Sequence, residues 1–352
     1  MQYQFLDLIK CPLTKTNLKF QLISEFEKNY SSGKVKEVFE GLLFSETGFV
    51  FPIIQGIPRM LIESIYDYSH FLHLHLNDYN DVKDKLEKTF PGLLSYCSKK
   101  NEKTKKSFEF EWSFLNPDKK DQIWHEDASN LSTVFTNETG EDFDFFTNKN
   151  VIDIGSGHGM MTTRIADISK LSVGVEMSKA VENAYLINKS DNAWFVQADL
   201  QFLPFSEKSF DVIYSSGVIH HTNNTELSLS LIEPVLKQEG KLCLWLYHPQ
   251  KNFGHKIIQF LRSIISRLPL KLGFALIVVF VFPFTFLIKK IKNKNAPNYR
   301  EEIIDLLDAM TPEHRFEIPH DLATVWLQRR NFKNIKITTS NMFGFSISAE
   351  KE

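Results

Sequence analysis

The residues best suited to chemistry form a short run in which glycines alternate behind an acidic residue. The run comprises Asp153, Gly155, Ser156, Gly157 and Gly159. A short apolar segment precedes it and a helical periodicity follows it, a pattern typical of a buried strand, a tight loop and a helix. Glycine tolerates positive φ and has no Cβ to keep a ligand away, and a helix start offers amide donors. The run therefore predicts a ligand-binding loop.

The glycine spacing distinguishes two kinds of nucleotide-binding loop. A dinucleotide-binding loop needs G-x-G-x-x-G, because its third glycine packs the helix against the strand. Here Met160 occupies that position, and Gly159 comes one residue too early. The spacing argues against a nicotinamide cofactor.

Two further acidic residues stand where later strands are predicted to end. Glu176 closes the apolar segment 171–176 and is followed by Met177, and Asp199 follows the segment 193–197. The carboxyl ends of parallel strands meet at one edge of a sheet, where ligands bind. A carboxylate at such a strand end can accept hydrogen bonds from both hydroxyls of a ribose.

This order of motifs resembles the class I S-adenosylmethionine (SAM) methyltransferases, in particular the family that includes the ubiquinone-biosynthesis enzymes. The resemblance covers residues 141–246. It implies SAM as methyl donor, S-adenosylhomocysteine (SAH) as product, and no metal. It also implies a ribose contact for Glu176 and an adenine contact for Asp199. The implied cofactor-binding residues are Asp153, Gly155, Ser156, Gly157, Gly159, Glu176, Met177, Asp199, Leu200 and Ser215.

Each of these residues also has a structural interpretation. The glycines could serve turns, Glu176 could favour a helix N-terminus, and Asp199 could cap a turn. Agreement of all of them in order favours the cofactor site.

His220 and His221 are the candidate catalytic bases, because they follow the fourth predicted strand, where an acceptor would approach. Imidazole titrates near neutral pH and suits proton transfer. Alternatively, one histidine packs under a lid and the other helps to start the next helix. His248 and His314 are further candidates, and Trp112 is predicted to pack over the cofactor.

The alternation of strands and helices predicts an α/β fold, a Rossmann-like, doubly wound and mostly parallel sheet of seven strands. The predicted methyltransferase domain spans residues 136–352, with an apolar lid insertion at 250–300. A helix from Pro319, a strand at 331–337 and a last, antiparallel strand at 343–348 should complete the sheet.

Residues 1–63 are predicted to form a small β-rich domain. This stretch resembles the zinc ribbon of the tRNA-methyltransferase activator family, but only Cys11 remains where the family has four cysteines. Thr14, Ser45 and Thr47 stand near the other ligand positions. Structural zinc takes four ligands, so we expect a metal-free, degenerate ribbon; an unrelated short β unit is the alternative.

Residues 64–135 are predicted to be a helical and aromatic linker and cap. The histidines at 70, 73 and 75 suggest an aromatic face more than a metal site, because no acidic or thiol partner stands at helical spacing. The basic run at 99–106 is predicted to be a solvated loop. Trp124 belongs to the same aromatic region as Trp112.

The insertion contains an uncharged segment, residues 272–288, flanked by arginines and lysines that include Lys294. This segment is at the short limit for a membrane span, contains Pro283, and would put the last strands across the membrane from the rest of the sheet. Two compatible interpretations remain: a lid over the acceptor, or a helix in the bilayer interface at residues 268–290.

The composition bounds the remaining possibilities. A formal net charge of -2 gives no global electrostatic case for nucleic acid, and the three separated cysteines suggest a reducing compartment. No signal-peptide pattern opens the sequence, so we expect a cytoplasmic protein with peripheral contact at the inner face of the membrane. The predicted function is methyl transfer from SAM to a small-molecule, glycan or lipid-linked acceptor. The alternatives are an RNA methyltransferase and an NAD-dependent oxidoreductase.

Overall fold

Two β-sheets organise the chain. The computed structural model describes residues 1–114, 130–292 and 298–352. The strands are β1 (Lys19–Tyr30), β2 (Gly33–Phe44), β3 (Val50–Ile54), β4 (Ile57–Pro58), β5 (Asn150–Ile154), β6 (Leu171–Glu176), β7 (Ala193–Gln197), β8 (Phe210–Ser216), β9 (Leu236–Tyr247), β10 (Phe332–Ser340) and β11 (Gly344–Lys351).

The larger sheet has seven strands in the order β10-β11-β9-β8-β5-β6-β7. Strands β5 to β9 pair in parallel, and β11 runs antiparallel to both of its neighbours. The central strands are buried along nearly their whole length, as expected when helices cover both faces of a parallel sheet. The prediction of a doubly wound, mostly parallel seven-stranded sheet is confirmed.

The helices connect and cover the strands. They are α1 (Phe5–Leu8), α2 (Ser64–Asp67), α3 (Ser69–His75), α4 (Tyr79–Thr89), α5 (Leu93–Trp112), α6 (Leu131–Thr139), α7 (Phe143–Phe146), α8 (Met160–Ala166), α9 (Ala180–Ile187), α10 (Thr225–Ile232), α11 (Phe253–Ile265), α12 (Leu270–Leu276), α13 (Phe282–Lys292), α14 (Tyr299–Met310) and α15 (His320–Gln328). Residues 277–281 form a π-helical turn that joins α12 to α13.

The smaller sheet is antiparallel, with its four strands in sequence order β1-β2-β3-β4. The predicted small β-rich unit is therefore present, although its resemblance to a zinc ribbon is not confirmed. Arg59, directly after β4, forms a parallel bridge with Gln197 of β7, so the small sheet meets the edge of the large one. One buried apolar cluster, which includes Phe51 and Val196, runs through both units.

The basic run at 99–106 was predicted to be a solvated loop, but it forms the middle of helix α5. The prediction was wrong because two of its lysines have buried acidic partners. Lys100 lies 2.8 Å from Asp199, and Lys105 lies 3.0 Å from Glu63. Helix α5 thereby lies against the carboxyl ends of the large sheet. Residues 115–129, with Trp124, lie outside the described part of the chain.

The insertion at 250–300 forms helices α11, α12 and α13, and Lys294 lies outside the described residues. The chain leaves the large sheet at the end of β9 and returns to it through α14, α15 and β10. At its far end, Lys289 of α13 contacts Glu302 and Asp305 of α14 at 2.6 and 3.0 Å. Both ends of the insertion are therefore held by the same body of the protein.

Within residues 1–114, 130–292 and 298–352, no group of three or more histidine, cysteine, aspartate or glutamate side chains is arranged to hold a metal ion. The ring of His73 in α3 packs on Tyr79 with the ring centroids 3.9 Å apart.

Candidate functional site

A pocket of about 930 Å³, partly open to solvent, lies between α5 and the carboxyl ends of the parallel strands. The strands contribute the ends of β5, β6 and β8 and the residues after β7, and α5 lies along the opposite wall. The residues that line it include Lys100, Phe108, Glu111, Trp112, Gly155, Glu176, Met177, Asp199, Leu200, Ser216, Gly217, His221, Asp308 and His314.

The glycine loop forms one end of the pocket. Gly155, Gly157 and Gly159 all have positive φ, at 81°, 51° and 70°. A Cβ on Gly157 would lie 2.4 Å from the ring of Trp112, so the glycine allows α5 to pack directly on the loop. Trp112 was predicted to pack over the cofactor, and its ring lies over the glycine loop.

Glu176 is buried at the end of β6 and its carboxylate organises the loop. One oxygen accepts a hydrogen bond from the Gly157 amide at 3.1 Å, and the other accepts one from the Ser178 amide at 2.7 Å. Burial raises the pKa of Glu176, although the amide hydrogen bonds oppose that rise. Each oxygen retains a lone pair for a further donor, so the carboxylate can accept from ribose hydroxyls in the pocket.

Asp199 lines the pocket next to Glu176 and is fixed by two other donors. Its Oδ1 accepts from the Gln201 amide at 2.9 Å, which caps a short 3₁₀ turn. Its Oδ2 lies 2.8 Å from the Lys100 ammonium of α5. The turn-cap interpretation and the ligand interpretation are therefore compatible, because a carboxylate offers about four acceptor positions.

Besides Gly157, four residues predicted to bind the cofactor are absent from the lining of the pocket. Asp153 accepts a hydrogen bond from Thr162 of α8 at 2.5 Å, and burial raises its pKa to about 7. Gly159 allows Phe195 to approach closely, since a Cβ there would lie 2.5 Å from that ring. Ser215 donates to the Ile154 carbonyl at 3.1 Å. These three residues join β5, α8 and β8 into the support of the loop.

The fourth is Ser156, whose buried hydroxyl has no hydrogen-bond partner among the described residues. Gly217, by contrast, stands in the pocket wall with φ 76°, and no atom of the described residues lies within 4 Å of the place where a Cβ would be. The wall therefore has open space beside the end of β8, where Ser216 takes the place that was predicted for Ser215.

The structure brings only one of the two predicted catalytic histidines to the pocket. His220 is fully buried, packs on Tyr247 with ring centroids 4.4 Å apart, and has no hydrogen-bond partner on either ring nitrogen within the described residues. Burial, His221 and Arg315 lower its pKa well below the ordinary value. His221 lines the pocket instead.

The imidazole of His221 has a defined orientation. Its Nδ1 lies 3.0 Å from the His314 carbonyl oxygen, and a carbonyl can only accept, so Nδ1 carries the hydrogen. Its Nε2 therefore presents a lone pair, and it lies 3.4 Å from Asp308 Oδ1. His314 also lines the pocket, whereas His248 lies outside its lining, is half-buried and contacts the Asn341 carbonyl at 2.8 Å.

Two buried carboxyl groups in the pocket wall were missed by sequence reasoning. Asp308 of α14 accepts a hydrogen bond from the Tyr247 hydroxyl. Burial opposes its ionisation, but His221, Tyr247 and Arg315 together hold its pKa below the ordinary value. Glu111 of α5 has the opposite character: burial and repulsion by Asp308 raise its pKa well above the ordinary value.

Glu111, with its pKa raised, thus lies in the same pocket wall as Asp308, whose pKa is lowered. One oxygen of Glu111, Oε2, is buried without a hydrogen-bond partner among the described residues. The geometry defines a pocket with a histidine–carboxylate pair in its wall.

Comparison with known proteins identifies the class of this fold and site. Residues 152–244 match the family model described as "Methyltransferase domain". This segment runs from β5, through the glycine loop, Glu176 and Asp199, into β9. The chain thus contains a methyltransferase domain on a Rossmann-like sheet.

Among curated proteins, the chain is similar to the tRNA U34 carboxymethyltransferase of Ruthia magnifica subsp. Calyptogena magnifica, with 31% identity over 102 residues, 27% of this chain and 32% of that protein. It is also similar to the ubiquinone/menaquinone biosynthesis C-methyltransferase UbiE of Teredinibacter turnerae, with 28% identity over 114 residues, 29% of this chain and 44% of that protein. The matches thus span less than half the length of either relative.

Among solved structures, the YcgJ protein of Bacillus subtilis overlaps 63% of this chain and 98% of its own, with 20% identity and a TM-score of 0.36.

Proposed function

We propose that the protein transfers a methyl group from SAM to an acceptor bound in the same pocket. The observation that carries this proposal is that Glu176 and Asp199, from the ends of the paired strands β6 and β7, line one pocket together with Gly155 of the loop. When bound, SAM supplies an activated methyl group on a sulfonium. The family match over residues 152–244 supports the same class of reaction.

The residues present fit such a cofactor. Glu176 offers acceptor positions for ribose hydroxyls, and Asp199 offers them for an adenine amino group, beside the backbone of Leu200. Helix α5 covers this half of the pocket; Lys100 in its middle pairs with Asp199, and Trp112 at its end packs on Gly157. Exclusion of water and alignment of acceptor with donor are the main contributions that a protein makes to such a displacement.

At the acceptor end, His221 is placed to take a proton. Its buried Nε2 lies 3.4 Å from the ionised Asp308, which would stabilise the imidazolium that protonation creates. Phe108 of α5 packs edge-on against the same imidazole, with ring centroids 5.6 Å apart, and limits its motion. This arrangement suits an acceptor that loses a proton, such as a hydroxyl or an acidic carbon.

We infer that the acceptor is a small molecule, a glycan or a lipid-linked compound. An RNA acceptor has less support, because the formal net charge of the whole chain is -2. An NAD-dependent oxidoreductase has less support as well, because Met160 stands where that loop needs its third glycine.

Calorimetry with SAH and with NAD tests the cofactor. We expect SAH to bind more tightly than NAD, and Glu176→Ala and Asp199→Ala each to weaken SAH binding by about 1–3 kcal/mol through lost hydrogen bonds. Glu46→Ala, at an exposed position of the small sheet, is the control and should bind like the unmodified protein. Tighter binding of NAD, or unchanged SAH affinity in both pocket variants, would contradict the proposal.

The acceptor class is then tested by incubation of the protein with tritiated SAM and cell extract separated into lipid, glycan, RNA and small-molecule fractions. Label in the RNA fraction alone would replace the proposed acceptor with the RNA alternative.

A further inference from the structure

Helices α11, α12 and α13 present a large apolar surface to solvent. We call residues 253–291 the apolar platform. Eleven of its large apolar side chains are exposed: Phe253, Ile257, Phe260, Ile264, Leu272, Val279, Phe280, Phe284, Leu287, Ile288 and Ile291. In α11 they recur at spacings of three and four residues, which places them on one face of the helix. Contiguous exposed apolar surface of this kind marks an interaction site.

The lysines and arginines of residues 251–300 have no acidic side chains among them. Ten of the 41 lysines and arginines, and none of the 43 aspartates and glutamates, lie in residues 251–300. Lys256, Arg267, Lys271 and Lys290 are exposed. Basic and apolar side chains exposed together complement a surface that is anionic outside and apolar inside, which describes a bilayer with acidic headgroups.

The platform does not cross that bilayer. Residues 270–291 form one helical stretch that is long and apolar enough for a span, and only 17% of its apolar window is buried. However, β9 before the platform pairs directly with β11 after it. Lys289, near the far end of the stretch, is also paired with Glu302 and Asp305 of the same body. A span would place these partners on opposite sides of the membrane.

The buried side of the platform packs against the elements that form the pocket. Ile265, Ile277 and Val281 of the platform share one apolar cluster with Ile303 and Leu307 of α14. Phe110 of α5 belongs to the same cluster and stacks edge-on with Phe274, with ring centroids 5.0 Å apart. Glu111, which follows Phe110 in the sequence, and Asp308, which follows Leu307, line the pocket.

We propose that the apolar platform inserts, parallel to the surface, into one leaflet of an anionic bilayer. We further propose that the methyl acceptor is an amphiphile that reaches the pocket from that leaflet. The second part rests on the proposed function, and the first does not. Because the cytoplasmic leaflet carries the anionic lipids of many membranes, it is the face to which the protein would bind.

Flotation with vesicles tests the insertion on the full chain. Vesicles of phosphatidylcholine and phosphatidylglycerol in equal parts should carry the protein upward in a density gradient at low salt. High salt should release only part of it, because salt screens the lysines and arginines but leaves apolar burial intact. Vesicles of phosphatidylcholine alone should carry at least several-fold less.

Matched substitutions separate the platform from exposed apolar residues in general. Phe260→Glu, Phe280→Glu and Leu287→Glu combined should reduce the vesicle-bound fraction at least tenfold. The control combines Leu74→Glu, Leu186→Glu and Met342→Glu, which are equally exposed elsewhere on the chain, and it should float like the unmodified protein. SAH affinity should be the same in all three proteins, because the cofactor contacts lie on other elements.

Two results would overturn the insertion: an unmodified protein that stays at the bottom of the gradient at low salt, or a platform variant that floats normally. A dimer in light scattering that the platform variant converts to a monomer would assign the surface to a second copy of the chain instead. If the unmodified protein does not bind SAH, the proposed function is refuted, but the flotation result still holds. Equal transfer of label to soluble and vesicle-borne acceptors would refute the amphiphilic acceptor alone.

Discussion

His221 takes its chemical character from three neighbours that are distant in sequence. The His314 carbonyl fixes its Nδ1 hydrogen at 3.0 Å, and Asp308 faces its Nε2 at 3.4 Å. Tyr247 in turn donates a hydrogen bond to Asp308. The ionised form of Asp308 is thereby maintained in a buried place, where an isolated carboxyl would be neutral.

We therefore expect His221→Asn and Asp308→Asn to lower the methyl-transfer rate by about 10²–10⁴-fold and to leave SAH affinity nearly unchanged. Single-turnover assays with the acceptor fraction give the rate, and calorimetry gives the affinity. His70→Asn, at an exposed position of α3, is the control and should retain full activity.

The asparagine variants should also differ in their pH profiles. His221→Asn removes the proposed base and should flatten the dependence of the rate on pH, whereas Asp308→Asn keeps the imidazole and should retain that dependence at a lower rate. If both variants keep the rate and the profile of the unmodified protein, the pair is structural and the acceptor needs no base.

At this scale, the sequence was informative where function and local structure coincide. Glu176 is the last residue of β6 and Asp199 comes two residues after β7, so their positions were predictable from the strand ends. Asp308 and Glu111 were not predictable, because nothing near them in the sequence indicates that α14 and α5 meet at the pocket. Ser215 and Ser216 differ by one position, and the alternation of a strand decides which of them faces the pocket.

Helix α5 is the element whose role the sequence concealed. Its lysines suggested a solvated loop, but the acidic partners of Lys100 and Lys105 belong to other elements. Glu63 is fully buried and also accepts a hydrogen bond from Asn101 of α5 at 3.0 Å. Such pairs form only after the chain has folded, so local charge patterning does not predict them.

The two lysines of α5 at 105 and 106 offer a matched comparison. Lys105→Met leaves the buried Glu63 carboxylate without its ammonium partner, so it should destabilise the protein by about 3 kcal/mol. Lys106→Met removes an exposed pair with Glu102, 2.6 Å apart, and should change stability by less than about 0.5 kcal/mol. Urea denaturation measures both changes.

Equal destabilisation by the two substitutions would show that Glu63 is solvated in solution and that α5 is not held at this point. The comparison matters for the site, because α5 supplies both Glu111 and Trp112 to the pocket.

At the scale of the whole molecule, the two sheets behave as one folded unit. The small sheet was predicted to be a separate domain, and its apolar residues share a buried cluster with those of the large sheet. Arg59 is 1% exposed and pairs with Glu182 of α9 at 2.9 Å. The small sheet also covers the edge of β7, which would otherwise present unpaired backbone groups to solvent.

We therefore expect a single unfolding transition for the full chain in calorimetry, with the van't Hoff enthalpy close to the calorimetric enthalpy. Arg59→Ala should lower the temperature of that transition without splitting it. Two resolved transitions in the unmodified protein would instead show that the small sheet unfolds independently.

The sequence predicted the large sheet well, because each strand and helix of a doubly wound fold carries its own periodicity. It did not predict how the small sheet docks, since that contact depends on a few residues, such as Arg59 and Gln197, with no shared local pattern.

The pairing of β11 between β9 and β10 also determines when the large sheet can close during synthesis of the chain. Strand β9 ends at Tyr247 and its partner β11 begins at Gly344, so the ribosome must synthesise the whole platform before the sheet can close. At 5–20 residues per second, that interval lasts roughly 5 to 20 s. Throughout it, the nascent chain displays an unpaired strand edge and a growing apolar helix together. We therefore expect the nascent chain to bind a bilayer, to bind a chaperone or to aggregate during translation, before the methyltransferase fold is complete.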